Sequence, residues 1–210
     1  MKIKILIILA AISVLASCAE IGREAASWME ISEEETIPGQ YHFLESDGTK
    51  IFLPKVFKRY SLSDMQKVMD SLLDGAAYEF EVARLNDLKD EKGEFYIFYD
   101  EESGSSYLIN TLQYMPMSKD QAQELLGFMK YNSNRDLSDK GIEFEKLNAV
   151  YSGVPEKYIF KAQYKLSESK KNKEWYHSSY IVTSNMKTVY IQLVTGFKVD
   201  FDPYITKTIL

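Results

Sequence analysis

Four consecutive runs rich in aromatic and β-branched residues fill the last third of the chain. They span residues 142–151, 158–166, 175–183 and 187–195. The segments between them are short and contain turn-forming residues such as Gly153 and Asn185. Because parallel strands need a crossover of about a dozen residues or more, strands joined this closely pair antiparallel, and the runs predict a four-stranded meander. The apolar alternation of the first run changes phase between Phe144 and Leu147, which predicts a β-bulge.

Two β-hairpins are predicted ahead of the meander. Residues 41–53 contain two short β-prone runs around Asp47-Gly48, a dipeptide that favours a tight hairpin turn. Residues 95–99 and 107–115 form two further runs, which are joined by a polar turn that contains Gly104.

Helical periodicity marks two segments between these strands. One segment has apolar side chains at helical spacing between Ser61 and Asp74, at Leu62, Met65, Met69, Leu72 and Leu73. The other opens with Ser118-Lys119-Asp120-Gln121, a capping-box pattern, and predicts a helix that ends near Tyr131. A polar loop is expected to follow at residues 132–141.

Two more segments complete the predicted fold. Residues 76–89 fit either a helix or a strand, and we favour a helix. Asp202-Pro203 starts a short terminal helix over residues 203–210. The chain thus predicts one α+β domain over residues 41–210, in which two to four helices cover a predominantly antiparallel sheet.

This order of elements resembles a known fold. A hairpin ends in Phe52-Leu53-Pro54, and the meander runs into Phe201-Asp202-Pro203-Tyr204. The arrangement is similar to the fold shared by the photosystem II protein PsbP and the Ran-binding protein Mog1, which is also seen in small bacterial lipoproteins. The resemblance implies a domain that binds or supports other proteins, with no catalytic residues carried over.

The N-terminus has the layout of a secretory signal. Two lysines precede an apolar run from Ile5 to Ala16, which is shorter than the roughly 20 residues that a membrane-spanning helix needs. The run ends in Leu15-Ala16-Ser17-Cys18, which resembles the lipobox of bacterial lipoproteins. The resemblance implies cleavage of residues 1–17 as a signal peptide and lipid, including palmitate, on Cys18. The alternative is an ordinary signal peptide that is cleaved after Ser17, which would leave Cys18 as a free thiol.

Charge bears on the expected partners and location. Without the signal, 23 basic side chains stand against 31 acidic ones, a formal charge of −8. An acidic protein is a poor ligand for nucleic acid, so we expect none, and membrane contact is expected through lipid on Cys18. Residues 18–40 lack periodicity and predict a lipidated tether. An Asp directly after the cysteine resembles an inner-membrane retention signal. This chain has Ala19 at that position, which favours the outer membrane, with the domain facing the periplasm.

The sequence offers little for catalysis. Walker A, GxGxxG, HExxH and GxSxG motifs are absent. The two histidines, His42 and His177, fall within predicted strands rather than on loops, where catalytic groups more often lie. One cysteine and two histidines also exclude an ordinary Cys/His metal site, and we expect no cofactor.

A calcium-type spacing follows the third helical segment. Polar side chains occupy positions 1, 3, 5, 7, 9 and 12 of a 12-residue calcium-loop register, namely Asn132, Asn134, Asp136, Ser138, Lys140 and Glu143. The register has Leu137 where the turn needs Gly, and a predicted strand follows it. We interpret the segment as a solvated loop, and the four residues Asn132, Asn134, Asp136 and Glu143 as a minor candidate for a metal site.

One strand offers a candidate contact patch. Trp175, His177 and Ser179 share one face of a predicted strand, and an exposed Trp175 with His177 would form a surface for a partner. We therefore expect a non-catalytic envelope lipoprotein that binds or supports an unidentified envelope protein, including an immunity-type protein. The alternative is a small envelope hydrolase or a carbohydrate-binding protein.

Overall fold

Strands outnumber helices in the part of the chain that the structure describes. The computed structural model describes residues 37–210 except residues 74, 91–92, 139–140, 155 and 170–171, and omits the side chains at 76, 77, 80 and 131–138. The strands are β1 (Gln40–Phe43), β2 (Lys50–Leu53), β3 (Lys58–Tyr60), β4 (Glu94–Asp100), β5 (Ser105–Leu112), β6 (Ile142–Val154), β7 (Lys157–Glu168), β8 (Lys173–Ser184) and β9 (Lys187–Thr195). The helices are α1 (Leu62–Leu72), α2 (Gly75–Asp90), α3 (Lys119–Ser138) and α4 (Asp202–Thr206).

Seven strands form one antiparallel sheet in the order β3-β4-β5-β9-β8-β7-β6. Strands β6 to β9 are the predicted meander, and β9 pairs with β5, which brings the β4–β5 hairpin into the same sheet. The β6–β7 register shifts between Lys146 and Asn148, so Leu147 is the extra residue of the predicted bulge. The architecture is α+β with a predominantly antiparallel sheet, as the sequence predicts.

Helices α1, α2 and α3 cover one face of this sheet. Side chains alternate along a strand, so Ile97 and Tyr99 of β4 face the helices whereas Phe98 faces away from them. Helices α1 and α2 pack on the β4–β5 half, where the buried cluster consists of Met65, Met69, Leu85, Leu88, Ile97, Tyr99 and Leu108. Helix α3 packs on the β6–β8 half, where the buried cluster includes Ala122, Ile142, Phe160, Ala162, Tyr164, Leu166 and Ile181.

The opposite face carries the β1–β2 hairpin and the C-terminal segment. The His42 ring meets Phe98 edge-on at a centroid distance of 4.8 Å. Phe201, which precedes α4, lies 5.5 Å from the Tyr107 ring of β5. Ile205 of α4 is fully buried. The seven-stranded sheet is therefore covered on both faces, by helices on one side and by a hairpin with a short helix on the other.

Several element boundaries differ from the predicted ones. The segment that fitted a helix or a strand is helix α2, as favoured. Helix α3 continues to Ser138, so the loop predicted over residues 132–141 is wrong; polar residues extend the helix without the apolar stripe by which we defined it. Helix α4 ends at Thr206 instead of residue 210, because Ile209 exchanges two backbone hydrogen bonds of 2.8 Å with Lys50 of β2. Strand β3 was not predicted.

Residues Ile37–Leu210 form one compact unit. The predicted signal peptide, Cys18 and the tether as far as residue 36 lie outside the described residues, so the predicted division at residues 17 and 40 stays a prediction. Of the helices in the described part of the chain, none combines the length and the apolar character that crossing a membrane requires.

Candidate functional site

A cavity opens between α1 and one end of the seven-stranded sheet. Its volume is about 390 Å³. The sheet contributes the ends of β4 and β9, the β4–β5 turn and the start of β8. We call this space the α1 cavity; its lining consists of Met65, Val68, Met69, Leu72, Leu73, Glu81, Tyr99, Ser103, Gly104, Ser106, Lys173, Glu174, Trp175, Val194, Thr195 and Gly196.

The helical wall of the α1 cavity is apolar. Helix α1 begins at the N-cap Ser61, whose Oγ accepts a hydrogen bond of 3.1 Å from the backbone N of Asp64. Met65 and Met69 are buried one turn apart, and Leu72 on the same wall is 60% exposed. The wall thus runs from the core to solvent, and its two thioether side chains adapt readily to the shape of an apolar ligand.

Glu81 is a polar lining residue of the α1 cavity, and it forms an ion pair with Arg84. Glu81 lies on α2 one turn before Arg84, and the Glu81 Oε2 to Arg84 Nη2 distance is 2.5 Å, with only 13% and 7% of these side chains exposed. Arg84 Nη1 donates a hydrogen bond of 2.8 Å to Gln192 Oε1 on β9, and Nη2 donates to Ser106 Oγ on β5 at 3.5 Å. The Glu81 carboxylate and the Ser106 hydroxyl are therefore already engaged by one guanidinium.

His177 lies on the helix-facing side of β8. Part of the residue is exposed, but its Nε2 atom is buried and has no hydrogen-bond partner among the described residues. Burial is the main cause that lowers the pKa of His177 to about 3; the Arg84 charge lowers it further, and a hydrogen bond with Gln192 opposes the shift. The imidazole is thus neutral near pH 7 and too weak a base for proton abstraction there.

The predicted contact patch is not an exposed surface. Trp175 is half-buried, packs against the cluster under α3 and lines the α1 cavity. His177 is partly exposed with its Nε2 atom buried, and Ser179 is fully buried. The three residues do share a strand face, as the alternation predicts, but this is the face that the helices cover.

The other predicted site residues do not come together. Cys18 lies outside the described residues. The backbone of Asn132, Asn134 and Asp136 is helical within α3, so the loop that a calcium-type register needs is not formed there. Glu143 lies exposed on β6, where its Oε1 accepts a hydrogen bond of 3.4 Å from Ser169 Oγ. Within the described residues, no group of three or more His, Cys, Asp or Glu side chains is placed to hold a metal ion.

Sequence reasoning missed the residues that shape the α1 cavity. Two signals were present in the sequence. Glu81 and Arg84 stand at the i, i+3 spacing of a helical ion pair. The apolar stripe of α1 includes Val68 and Leu72 beside Met65 and Met69, and is wider than its contact with the sheet requires.

The comparisons with known proteins concern the fold. No model of a known protein family matches the chain, and no curated protein matches it significantly in sequence. The cyanobacterial PsbP (CyanoP) of Synechocystis sp. PCC 6803 is similar in structure, with 14% identity, 78% of this chain and 83% of that chain covered, and a TM-score of 0.47. The Ran-binding protein Mog1p of Saccharomyces cerevisiae is similar with 9% identity, 78% and 79% covered, and a TM-score of 0.42. The likeness to PsbP and Mog1 expected from the order of elements is thus found, and it carries nothing on function.

Proposed function

We propose that this chain is a lipoprotein of the cell envelope that is anchored to the outer membrane through lipid on Cys18 and faces the periplasm. Its domain binds another envelope protein and catalyses no reaction. The order of charged start, apolar run and Leu15-Ala16-Ser17-Cys18 supports the anchor, since the only cysteine stands where lipid attachment requires it. An immunity-type lipoprotein, which binds a toxin, is one form of this function.

The α1 cavity carries the binding part of the proposal. Its volume of about 390 Å³ lies in the range of roughly 300 to 1,000 Å³ typical of ligand pockets. Its helical wall is built from Met, Leu and Val side chains, and the carboxylates of Glu81 and Glu174 on its lining are paired with Arg84 and Lys165. Such a site takes an apolar side chain that a partner protein inserts, which is how the central anchors of protein interfaces bind.

A hydrolase is the less favoured function because the polar groups lack a reactive arrangement. Ser106 accepts a hydrogen bond from Arg84, and Glu81 is held in an ion pair with the same side chain. Burial and the nearby Arg84 charge lower the pKa of His177 to about 3, so it is neutral near pH 7. A general base that can deprotonate a nucleophile needs a pKa closer to the working pH than about 3.

The anchor is tested by Cys18→Ala in the full chain. We expect the wild type in the membrane fraction of the bacterial envelope and the variant in the soluble fraction, because the acyl chains supply the membrane affinity. The measured mass of the mature wild type should exceed the mass of its polypeptide by that of the lipid on Cys18. Unchanged fractionation of the variant would refute the anchor.

The binding site is tested by crosslinking the lipidated full chain in its native envelope. Leu72→Glu places a charge on the cavity wall, and Phe128→Glu makes the same kind of change at a side chain that is 63% exposed on α3. We expect a crosslinked partner that the wild type and Phe128→Glu retain and Leu72→Glu loses. Equal recovery with both variants would exclude the α1 cavity, and turnover of a screened envelope substrate by the wild type would favour the hydrolase.

A further inference from the structure

An exposed apolar surface lies on the side of the domain opposite to the α1 cavity. Tyr41 and Phe43 of β1 are 51% and 55% exposed. Met186, in the β8–β9 turn, and Ile209, near the C-terminus, are 71% and 50% exposed. Large side chains as exposed as these mark a contact surface when they form one patch.

Tyr41 and Phe43 lie on the hairpin, Ile209 pairs with it, and Met186 precedes Lys187, which donates a hydrogen bond to it. Phe43 pairs in register with Lys50, which in turn bridges to Ile209. Gly48 lies between Phe43 and Lys187, because a methyl group placed on it would be 4.0 Å from both the Phe43 ring and Lys187 Nζ. Lys187 directly follows Met186 in the sequence. Tyr41 meets the Phe52 ring at 4.9 Å. We call this surface the hairpin patch.

Lysines border the hairpin patch. Lys187 Nζ donates a hydrogen bond of 2.6 Å to the carbonyl oxygen of Asp47, and Lys207 Nζ lies 5.3 Å from the centre of the Phe52 ring. Lys50, which pairs in register with Phe43, and Lys187 place two cations beside the exposed Phe43 ring, whereas Lys207 lies over the buried Phe52 ring.

The acidic groups of the hairpin near Lys50 and Lys187 are Glu45 and Asp47. The carboxylate of Glu45 is 2.6 Å from Arg59 Nη1, which neutralises it. Asp47 Oδ1 accepts a hydrogen bond of 2.9 Å from the backbone N of Thr49 within the turn. A backbone hydrogen bond does not neutralise the Asp47 carboxylate, so Lys50 and Lys187 exceed the unpaired carboxylates of the hairpin by one positive charge, although the whole chain has a formal charge of −6.

The position of the proposed anchor favours a membrane as the occupant. Strand β1 begins at Gln40, only 22 residues after Cys18, a length that spans at most about 75 Å. The chain thus enters the domain through the strand that carries Tyr41 and Phe43. Aromatic side chains and lysines are the groups that settle at the interface of an anionic membrane, and a tether raises the effective concentration of that surface at the patch.

We propose that the hairpin patch docks on the anionic phospholipid headgroups of the membrane that holds the anchor. The inference rests on the proposed lipid at Cys18. It orients the domain, since the β1–β2 hairpin and α1 lie on opposite faces of the seven-stranded sheet. The α1 cavity then faces away from the membrane, towards a partner in the periplasm.

The test uses the lipidated full chain with one introduced cysteine. A lipid-bearing Cys18 has no free thiol, so a maleimide fluorophore reacts with Phe43→Cys or with the matched control Phe128→Cys alone, and the wild type takes no label. Vesicles are made of phosphatidylcholine with phosphatidylglycerol and contain a nitroxide lipid as quencher. We expect loss of fluorescence at position 43 and none at position 128.

Charge variants test the headgroup contact. Lys50→Glu with Lys187→Glu should abolish the quenching at position 43, whereas Lys119→Glu with Lys130→Glu, exposed lysines of α3, should leave it unchanged. Vesicles of phosphatidylcholine alone should also fail to quench position 43. Equal quenching in both kinds of vesicle would overturn the role of anionic lipid.

The outcomes separate the docking from the anchor. A chain that floats with the vesicles but shows no quenching at position 43 retains the anchor and refutes the docking. A chain that does not float refutes the anchor and the docking together. In detergent without vesicles, position 43 could become protected from the maleimide as the protein concentration rises. That result would assign the patch to a second copy of the chain.

Discussion

His177 shows how one position on a strand determines a residue's chemistry. The even spacing from Trp175 to Ser179 puts all three side chains on the helix-covered face of β8. There the imidazole lies near the Arg84 guanidinium, and both desolvation and this positive charge favour its neutral form. The residue contributes to the pH dependence of stability rather than to acid–base catalysis.

The free energy of unfolding should therefore fall as the pH is lowered from about 6.5 towards 3. Over this range the unfolded chain protonates His177 and the folded chain does not, so the unfolded state binds more protons and gains stability. One such group contributes up to about 1.4 kcal/mol for each pH unit. Urea unfolding of the wild type and His177→Gln between pH 7.5 and 5 measures the effect.

The difference between the two profiles isolates this imidazole from other titrating groups. His177→Gln should lose less stability on acidification than the wild type. His42→Gln serves as the comparison; the pKa of His42 is also lowered by burial and by Arg59, but its ring is half-buried and its effect should be smaller. Parallel profiles for the wild type and His177→Gln would show that the pKa of this imidazole is not lowered in the folded protein.

At the scale of elements, the start of α3 is defined by its cap. Gln121 Oε1 accepts a hydrogen bond of 2.8 Å from the backbone N of Ser118, and Ser118 Oγ accepts one of 3.2 Å from the backbone N of Gln121. This reciprocal pair is the capping box that the sequence predicts. Two backbone donors at the helix start are thereby satisfied.

Ser118→Ala should lower the free energy of unfolding by about 1 kcal/mol, because one of these donors loses its acceptor. The matched control is Ser71→Ala within α1, where Ser71 Oγ donates to the carbonyl oxygen of Val68. There alanine is the better helix former, and stability should stay equal or rise slightly. Urea denaturation of both variants decides; equal losses would show that the α3 cap contributes nothing specific.

Regular elements with strong local signals could be predicted from the sequence. The α3 cap, the α1 stripe and the bulge near Leu147 each follow from chemistry within a few residues. Strand β3 could not be found, because its three residues Lys58–Tyr60 have no alternation to detect and exist as a strand only by pairing with β4. Residues 207–210 likewise leave the helix because of a distant bridge to Lys50.

The candidate site was less predictable for a related reason. Alternation places Trp175 and His177 on one face but does not tell which face the helices cover. The α1 cavity forms where Met69, Trp175 and Val194 meet from α1, β8 and β9, which are distant in sequence. Such a site becomes visible only when the order of strands in the sheet is known.

At the scale of the whole molecule, a buried ion pair holds the C-terminal segment on the sheet. Lys161 Nζ of β7 lies 2.6 Å from Asp202 Oδ2 at the start of α4, and only 5% and 10% of these side chains are exposed. Tyr180 Oη of β8 donates a hydrogen bond of 3.0 Å to the other carboxylate oxygen. The carboxylate thus joins two central strands to the layer that contains Phe201 and the β1–β2 hairpin.

Asp202→Asn should lower the free energy of unfolding by about 3 to 5 kcal/mol, because it removes the carboxylate charge that lies 2.6 Å from the buried Lys161 ammonium. The double variant Lys161→Met with Asp202→Asn should recover much of that loss, since it also removes the buried charge and keeps an acceptor for Tyr180.

Glu174→Gln is the matched control: the Glu174 carboxylate is also 2.6 Å from its partner Lys165, but 52% of its side chain is exposed. Solvent screens that pair, so no measurable change is expected from urea unfolding of the control. Similar losses for Glu174→Gln and Asp202→Asn, or no recovery in the double variant, would show that the charge of Asp202 does not hold the C-terminal segment in place.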